Sequence, residues 1–249
     1  MKKSSPELLD EQGLKSFYRK KDVAAHYLEA RFSSPYGKVL HQRQFDFVTK
    51  QIEKYHPQRV LDLACGPARS YAVLSELPQS IFYDGSWEML KQVKERIQNK
   101  GILLQGDGFQ LPFKQMFDMV VSLRFIRHFK YEQRQKIYSE IRSILKPGGV
   151  LIFDAVNFNV SYPVREIDKG LDGPIYDKLY KWWELELELQ ENGFKLIDSQ
   201  GVYYQYLQGR YLERVFQKFK LKALGYSFLS CLEKRQHGEP LEWMIACQK

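Results

Sequence analysis

From residue 58 onward the apolar positions fall into short unbroken runs, with amphipathic stretches between them. "RVLDLAC", "SIFYD", "ILLQGD", "FDMVVSL" and "VLIFDAV" are rich in Val, Ile, Leu and Phe and show no polar alternation, the pattern of strands buried on both faces. Between them, "ARSYAVLSEL", "SWEMLKQVKERIQNK" and "YEQRQKIYSEIRSIL" have helical periodicity, the last stopping at "KPGG". Alternating strands and helices predict βαβ units and a parallel sheet. Upstream, Lys21 to about Tyr55 reads as helical, broken at "FSSPYG", where Ser34 can cap a helix that opens with Pro35; the first ten residues read as loose. After Val156 the alternation ends. Residues 157–177 read as an irregular connection rich in Pro, Gly and Tyr, followed by a helix, "YDKLYKWWELELELQEN", with Gly193 as its C-cap. "FKLIDSQGVYY" is a sixth strand, a basic and aromatic helical stretch runs from about Arg210 to Arg235, and "PLEWMIACQ" is a seventh strand. The expected fold is α/β: a doubly wound, seven-stranded, mostly parallel sheet with an antiparallel strand at its end and a helical cap. Residues 1–57 would form a helical cap segment, 58–156 the ligand-binding core, and 157–249 the end of the sheet with an aromatic lid, all in one domain.

Composition changes this picture only in places. Three cysteines (Cys65, Cys231, Cys247) lie far apart, with no Cys-x-x-Cys pair or His cluster, so neither a disulfide framework nor a metal site is expected. "MKKSSPELLDEQG" lacks the apolar segment of a signal peptide, and no run approaches the ~18 apolar residues of a membrane span. A cytoplasmic protein is the expectation. The net charge of +8 is local: residues 207–235 hold seven basic side chains against two acidic ones. Such a surface fits an anionic substrate, an anionic lipid surface or a nucleic acid.

Open α/β sheets bind ligands at the carboxyl ends of their strands, near the reversal of strand order. There, "VLDLACGPARS" puts Asp62 at the end of a strand and Gly66 in a tight turn before a helix whose free N–H groups can face an anion or carboxylate. Asp84 ends the second strand, where a carboxylate can accept two ribose hydroxyls, and Asp107 ends the third, placed to accept from an exocyclic amine such as adenine's. No G-x-G-x-x-G or G-K-[ST] grips a phosphate, so a nucleoside without phosphates fits better than NAD or ATP.

"VLDLACGPARS", "YDGSWEML", "GDGFQLPF", "FDMVVSLRFIRHF" and "LKPGGVLIFD", in this order over residues 58–156, resemble the motifs of class I S-adenosylmethionine-dependent methyltransferases, in particular the Rossmann-like small-molecule branch that includes the ubiquinone and menaquinone enzymes. The resemblance implies S-adenosyl-L-methionine as cofactor and S-adenosyl-L-homocysteine as product. It places the methionine part on the Asp62–Gly66 turn with Ala64 and Cys65, the ribose on Asp84 with Gly85 and Met89 in the same set, and the adenine between Asp107, Gly108 and Phe109. Ser122 and Leu123 would lie near the sulfonium. Ala64 and Ala68 replace glycines common in the first motif, and Arg69 reads as an exposed charge.

Methyl transfer asks little of the protein beyond holding the acceptor in line. Where the acceptor must lose a proton, His128 in "FIRHF" is the candidate base, against a structural role under the next helix. Arg124 and Arg127 flank it, either to pair an anionic acceptor or as solvated helix-end charges. The acceptor pocket is expected from the two ends of the chain, with Tyr27, Arg43, Arg124, Tyr203 and Tyr206 as candidate lining, although many of these aromatic rings can equally be core. In "RYLERVFQKFK", Leu212, Val215, Phe216 and Phe219 share helical spacing beside an Arg210, Arg214 and Lys218 stripe, which could meet an anionic membrane surface or only water. No [DN]-P-P-[YF], placed nucleophilic cysteine or CxxxCxxC is present. The expected partner is therefore a small aromatic, lipophilic or anionic acceptor methylated on oxygen or nitrogen rather than carbon, with nucleic acid disfavoured. The alternatives are an RNA methyltransferase using the basic segment and a catalytically silent binding protein with the same fold.

Overall fold

The computed structural model describes residues 8–94, 100–167, 175–219 and 221–249. Its strands are β1 (Arg59–Leu63), β2 (Gln79–Asp84), β3 (Ile102–Gln105), β4 (Phe117–Ser122), β5 (Leu145–Asn157), β6 (Leu179–Tyr180), β7 (Lys195–Tyr204) and β8 (Pro240–Gln248). Its helices are α1 (Glu11–Tyr18), α2 (Lys21–Phe32), α3 (Pro35–Tyr55), α4 (Tyr71–Leu74), α5 (Trp87–Lys94), α6 (Tyr131–Ile144), α7 (Phe158–Ile167), α8 (Trp182–Glu191), α9 (Tyr206–Lys218) and α10 (Lys222–Lys234). The strands make one sheet in the order β3-β2-β1-β4-β5-β8-β7, with the short β6 paired to β5. Strands β1 to β6 run parallel, and β8 is antiparallel to both its neighbours.

The apolar runs are unbroken because both faces of the sheet are covered. Leu61, Leu63, Leu151 and Phe153 point to the layer of α6 and α8, where they meet Ile137, Ile141, Leu185 and Leu189. Their neighbours Val60, Val150 and Ile152 point the other way, to Val39, Phe47 and Val48 of α3 and Leu90 of α5. Period-two alternation thus feeds two cores instead of one core and water. The strand order reverses between β1 and β4, and the crevice at their carboxyl ends is the ligand position of this architecture.

Several expectations need correction. The antiparallel strand is not at the edge: β8 inserts between β5 and β7, because the excursion through α9 and α10 leaves room for the chain to return one place inward. An eighth strand, β6, takes the start of the stretch expected as one helix, so α8 begins only at Trp182. The connection expected as irregular contains α7, which accommodates Pro163 and starts where the Asn157 side chain accepts a hydrogen bond from the Asn159 amide at 3.0 Å. Residues 168–174 of that connection, and 95–99 of the helix after β2, lie outside the described residues. The basic stretch is two helices, and Phe219 in it is 64% exposed instead of packed. Ser34 does cap α3, accepting from the Gly37 amide at 3.0 Å, with Pro35 behind it. Helix α1 was not expected. Asp10 caps it, accepting from the Gly13 amide at 2.7 Å, and Leu14 is its one buried residue.

Candidate functional site

The turn after β1 bends through three residues with left-handed backbone: Ala64 (φ 57°), Gly66 (φ 56°) and Ala68 (φ 44°). Only one is a glycine, so the two alanines hold a conformation that costs L-residues of the order of 1–2 kcal/mol. At Gly66 a Cβ would meet nothing within 4 Å, so conformation and open space set that position. The Gly66 amide donates at 2.7 Å to one oxygen of Asp84, and the Ser86 amide donates at 2.7 Å to the other. One carboxylate at the end of β2 thereby ties two turns together. Burial pushes the Asp84 carboxyl up to about 6, against those two backbone donors.

Asp62 turns inward, accepting from the Ser70 hydroxyl, and burial raises its carboxyl to about 7. Because the folded value lies above the ordinary one of 3.8, the folded chain holds a proton that the unfolded chain has lost between those limits. Stability is therefore expected to fall as pH rises from about 4 to about 7. The stability of Asp62→Asn should depend less on pH over that window; denaturant unfolding from pH 4 to 8 measures both slopes, and parallel slopes would assign the dependence elsewhere.

A cavity of about 350 Å³ opens over these turns. Of the residues expected to hold a cofactor, Asp62, Ala64, Cys65, Gly66, Asp84, Gly85, Met89, Asp107, Gly108, Phe109 and Leu123 all line it. Ser122 does not. It is fully buried, and its hydroxyl donates to the Leu63 carbonyl at 3.2 Å, tying β4 to β1. Gly108 is pressed against Phe125, whose ring would stand 2.7 Å from a Cβ there, so a glycine brings the Asp107–Phe109 loop close to the end of β4. The Asp107 carboxylate accepts from Lys15 Nζ at 2.8 Å and from the Phe109 amide at 3.0 Å. Burial opposes its charge, but the Lys15 hydrogen bond and the Phe109 amide hold it below the usual value.

Lys15 comes from α1, whose Leu14 and Tyr18, with Arg19 just beyond, complete this wall of the cavity. Sequence reasoning missed these residues. The Asp10 cap and the Glu11–Lys15 pair, 2.8 Å apart, were the available signals.

The end of the cavity beside β4 is lined by Tyr27, Arg69, Arg124, Phe125 and His128. Arg69 is not the exposed charge expected. Its guanidinium lies 4.0 Å from the Phe32 ring centre and 5.4 Å from that of Phe45, donates at 3.0 Å to Gln44, and is lowered to about 10, mainly by burial. Arg124 has φ 60°, and its amide donates to Asp154. Arg127 is not a solvated charge either. It is 4% exposed and lies 2.6 Å from Asp154 and 3.2 Å from both Asp177 and Glu242.

His128 Nδ1 lies 3.0 Å from the Tyr176 carbonyl and 2.9 Å from Asp177. Two acceptors around Nδ1 place the hydrogen there, which leaves a lone pair on Nε2 of the neutral ring. Nε2 is buried without a hydrogen-bond partner.

Three residues expected in the acceptor pocket lie elsewhere. Arg43 faces Glu233 at 3.6 Å and Asp46 at 3.8 Å. Tyr203 is core, packed edge-on against Tyr36 at 4.0 Å, and Tyr206 packs on the same pair. Aromatic enrichment of the cap marked these rings, but Tyr203 of β7 and Tyr206 of α9 use them to pack on Tyr36 of α3. No cluster of three or more metal-ligating side chains occurs among the described residues.

Residues 61–153 match a family model described as a methyltransferase domain. The chain is similar to the glycine/sarcosine N-methyltransferase of Aphanothece halophytica, 32% identical over 123 residues covering 46% of each chain. It is also similar to the ubiquinone/menaquinone biosynthesis C-methyltransferase UbiE of Wigglesworthia glossinidia brevipalpis, 33% identical over 105 residues, 38% of this chain and 41% of that one. The chain spans about half the length of the curated relatives it matches. Among solved structures, the magnesium protoporphyrin IX methyltransferase of Synechocystis PCC 6803 with bound S-adenosylhomocysteine superposes with TM-score 0.67 at 14% identity, covering 96% of this chain and 100% of that one. The [4+2]-cyclase SpnF superposes with TM-score 0.66 at 14% identity, covering 99% and 98%. At that identity the two show the fold alone, shared here by proteins named for different chemistries.

Proposed function

We propose that this protein, whose residues 61–153 match a methyltransferase domain and whose fold is that of a solved methyltransferase, transfers a methyl group from S-adenosylmethionine to the oxygen or nitrogen of a small organic acceptor. The observation that carries the reading is Asp84, an acceptor-only carboxylate that joins the two turns lining one 350 Å³ cavity. The residues present fit the cofactor. Asp84 would accept from hydroxyls, Gly66 leaves open space above the β1 turn, and Gly108 and Phe109 line the same cavity at the end of β3, where a flat ring would lie. S-adenosylmethionine supplies an already activated methyl on a sulfonium, so the protein's remaining tasks are to orient the acceptor, exclude water and remove a proton.

His128 is the base in this reading: Nε2 takes the acceptor's proton while Tyr176 and Asp177 keep the ring oriented through Nδ1. The helical segment before β1, through Leu14, Tyr18, Tyr27 and Phe45, and the loop after β4 select the acceptor. Tyr27 and Arg124 belong to its pocket, whereas Arg43, Tyr203 and Tyr206 do not line it. The protein works in the cytoplasm in this reading, supported by three cysteines that are all free; no helix of the described residues is long and apolar enough to cross a membrane. One surface favours a passing contact with an anionic membrane over RNA. Exposed Leu207 and Tyr211 share a face of α9 with exposed Arg214 and Lys218, a pairing of apolar and basic side chains suited to lipid.

Thermal unfolding tests the cofactor. S-adenosylhomocysteine at a hundred times its dissociation constant adds about 2.7 kcal/mol, which for a chain of this size raises the midpoint by roughly 5–10 °C. An unchanged midpoint at saturating ligand would remove the basis of the reading.

A further inference from the structure

Three arginines converge on Tyr27 at the acceptor end of the cavity. Arg31 lies over its ring at 5.4 Å, Arg124 lines the cavity beside it, and Arg69 adds its charge from the β1 turn. Burial pushes the Tyr27 phenol up, yet Arg124, Arg31 and Arg69 together pull it below its ordinary value. The carboxylates nearest this group are committed elsewhere: Asp154, Asp177 and Glu242 all pair with Arg127, and Asp177 also with Arg165. Among the described residues, the guanidiniums of Arg31, Arg69 and Arg124 form no ion pair within 4.0 Å; Asp154 and Asp177 act on that of Arg124 only from a distance, and Arg124 Nε is buried with no hydrogen-bond acceptor. Arg69 is further desolvated by the phenylalanines beneath it, and its side-chain partners, the Gln44 oxygen at 3.0 Å and the His41 Nδ1 at 3.4 Å, carry no negative charge. Desolvated cations without a counter-ion are costly, and a site that holds them gains by taking an anion.

We propose that Arg124 and Arg69, backed by Arg31 and Tyr27, form the seat for a carboxylate or like-charged oxyanion on the methyl acceptor. The proposal rests on the methyltransferase reading and narrows its acceptor to an organic acid. Arg124 follows β4 directly after Leu123, across the cavity from the Asp84 and Asp107 ends of β2 and β3, so the anion lies apart from the nucleoside end. Tyr18, Phe45 and Phe125 line the same cavity and give the rest of the acceptor an apolar wall. His128 stands four residues beyond Arg124, which lets one acid present its anion to the arginines and a protonated heteroatom to Nε2.

The test uses the full chain saturated with S-adenosylhomocysteine and two probes of equal shape, benzoate and uncharged benzamide, followed by thermal midpoint and by titration calorimetry. Benzoate is expected to raise the midpoint and benzamide to leave it unchanged. Arg124→Gln should weaken benzoate by roughly tenfold to a hundredfold, the loss of one or two charge-assisted hydrogen bonds, with Arg124→Lys in between and Arg69→Gln showing a smaller loss. Affinity of both glutamine variants for S-adenosylhomocysteine should stay near wild type. Equal effects of benzoate and benzamide, or none from either at tens of millimolar, would overturn the proposal. So would a loss of S-adenosylhomocysteine affinity as large as the loss for benzoate, which would give the arginines to the cofactor's own carboxylate. Failure of wild-type protein to bind S-adenosylhomocysteine would instead strike the methyltransferase reading, and is read first.

Discussion

Replacing Arg127 with Gln is expected to lower the unfolding free energy by about 3–5 kcal/mol, the usual cost of removing one partner from a buried ion pair, and the thermal midpoint by roughly 10 °C. Arg127 is where β4 passes into the helix layer, and its guanidinium meets Asp154 of β5, Glu242 of β8 and Asp177 ahead of β6. Without it Asp154 and Glu242 would be left buried side by side with no cation between them, while Asp177 would keep Arg165 and His128, so the two buried acids would have to stay protonated or push the strands apart. Glu242 shows the strain already: burial and the neighbouring Asp154 raise its carboxyl, against the pull of Arg127. Adding Glu242→Gln to Arg127→Gln should recover part of the loss, since it removes one of the stranded acids. Urea unfolding of the single and double variants gives both numbers. A single-variant loss below about 1 kcal/mol would mean that the network rearranges freely and does not hold β4, β5 and β8 in register.

Asp84→Asn is expected to cost about a hundredfold in S-adenosylhomocysteine affinity, because two hydrogen bonds to a charged acceptor become bonds to a neutral one. In the wild type the same carboxyl titrates near 6, so ligand affinity should strengthen as pH rises from 5 to 7 and level off above. The sign follows from the chemistry: only the ionised form can accept from ligand hydroxyls while also accepting from Gly66 and Ser86. The variant should lack this slope. Calorimetry across that pH range checks both, with the unliganded midpoint as control, because the Asn amide must turn an N–H toward one of the two backbone donors. A wild-type affinity that does not change between pH 5 and 7 would remove Asp84 from the ligand.

The core of the sheet was legible because burial on both faces leaves an unbroken apolar run, a signal carried by "RVLDL" or "VLIFDAV" without help from neighbours. The strand-end acids were legible for a related reason: Asp62, Asp84 and Asp107 interrupt or end apolar runs where a polar group needs a purpose. Less was legible where a residue's role depends on what comes from far along the chain. Arg69 looks exposed in "GPARSY", and only Phe32 and Phe45 arriving from α2 and α3 make it a desolvated cation. Arg127 looks like a helix-end charge until β5 and β8 bring their carboxylates. Tyr203 and Tyr206 have the composition of a substrate wall, yet Tyr36 covers them. Spacing within a segment could decide none of these.

Helix α1 is held to the rest of the chain at its polar edge: Lys15 to Asp107, Glu11 to Gln133, and the Tyr18 carbonyl to Ser86, with Leu14 its one buried residue. Leu14 in the core and Tyr18 packed against it are the apolar anchors of eight residues, each of whose backbone positions costs about 1–2 kcal/mol of chain entropy to fix. The same helix forms a wall of the cavity. Whatever fills the cavity therefore adds surface for α1 to rest on, and any affinity measured there is the contact energy less the cost of settling that helix. A truncation before residue 20 would remove contacts and ordering cost together, so affinity can change little while the rates of entry and departure both rise.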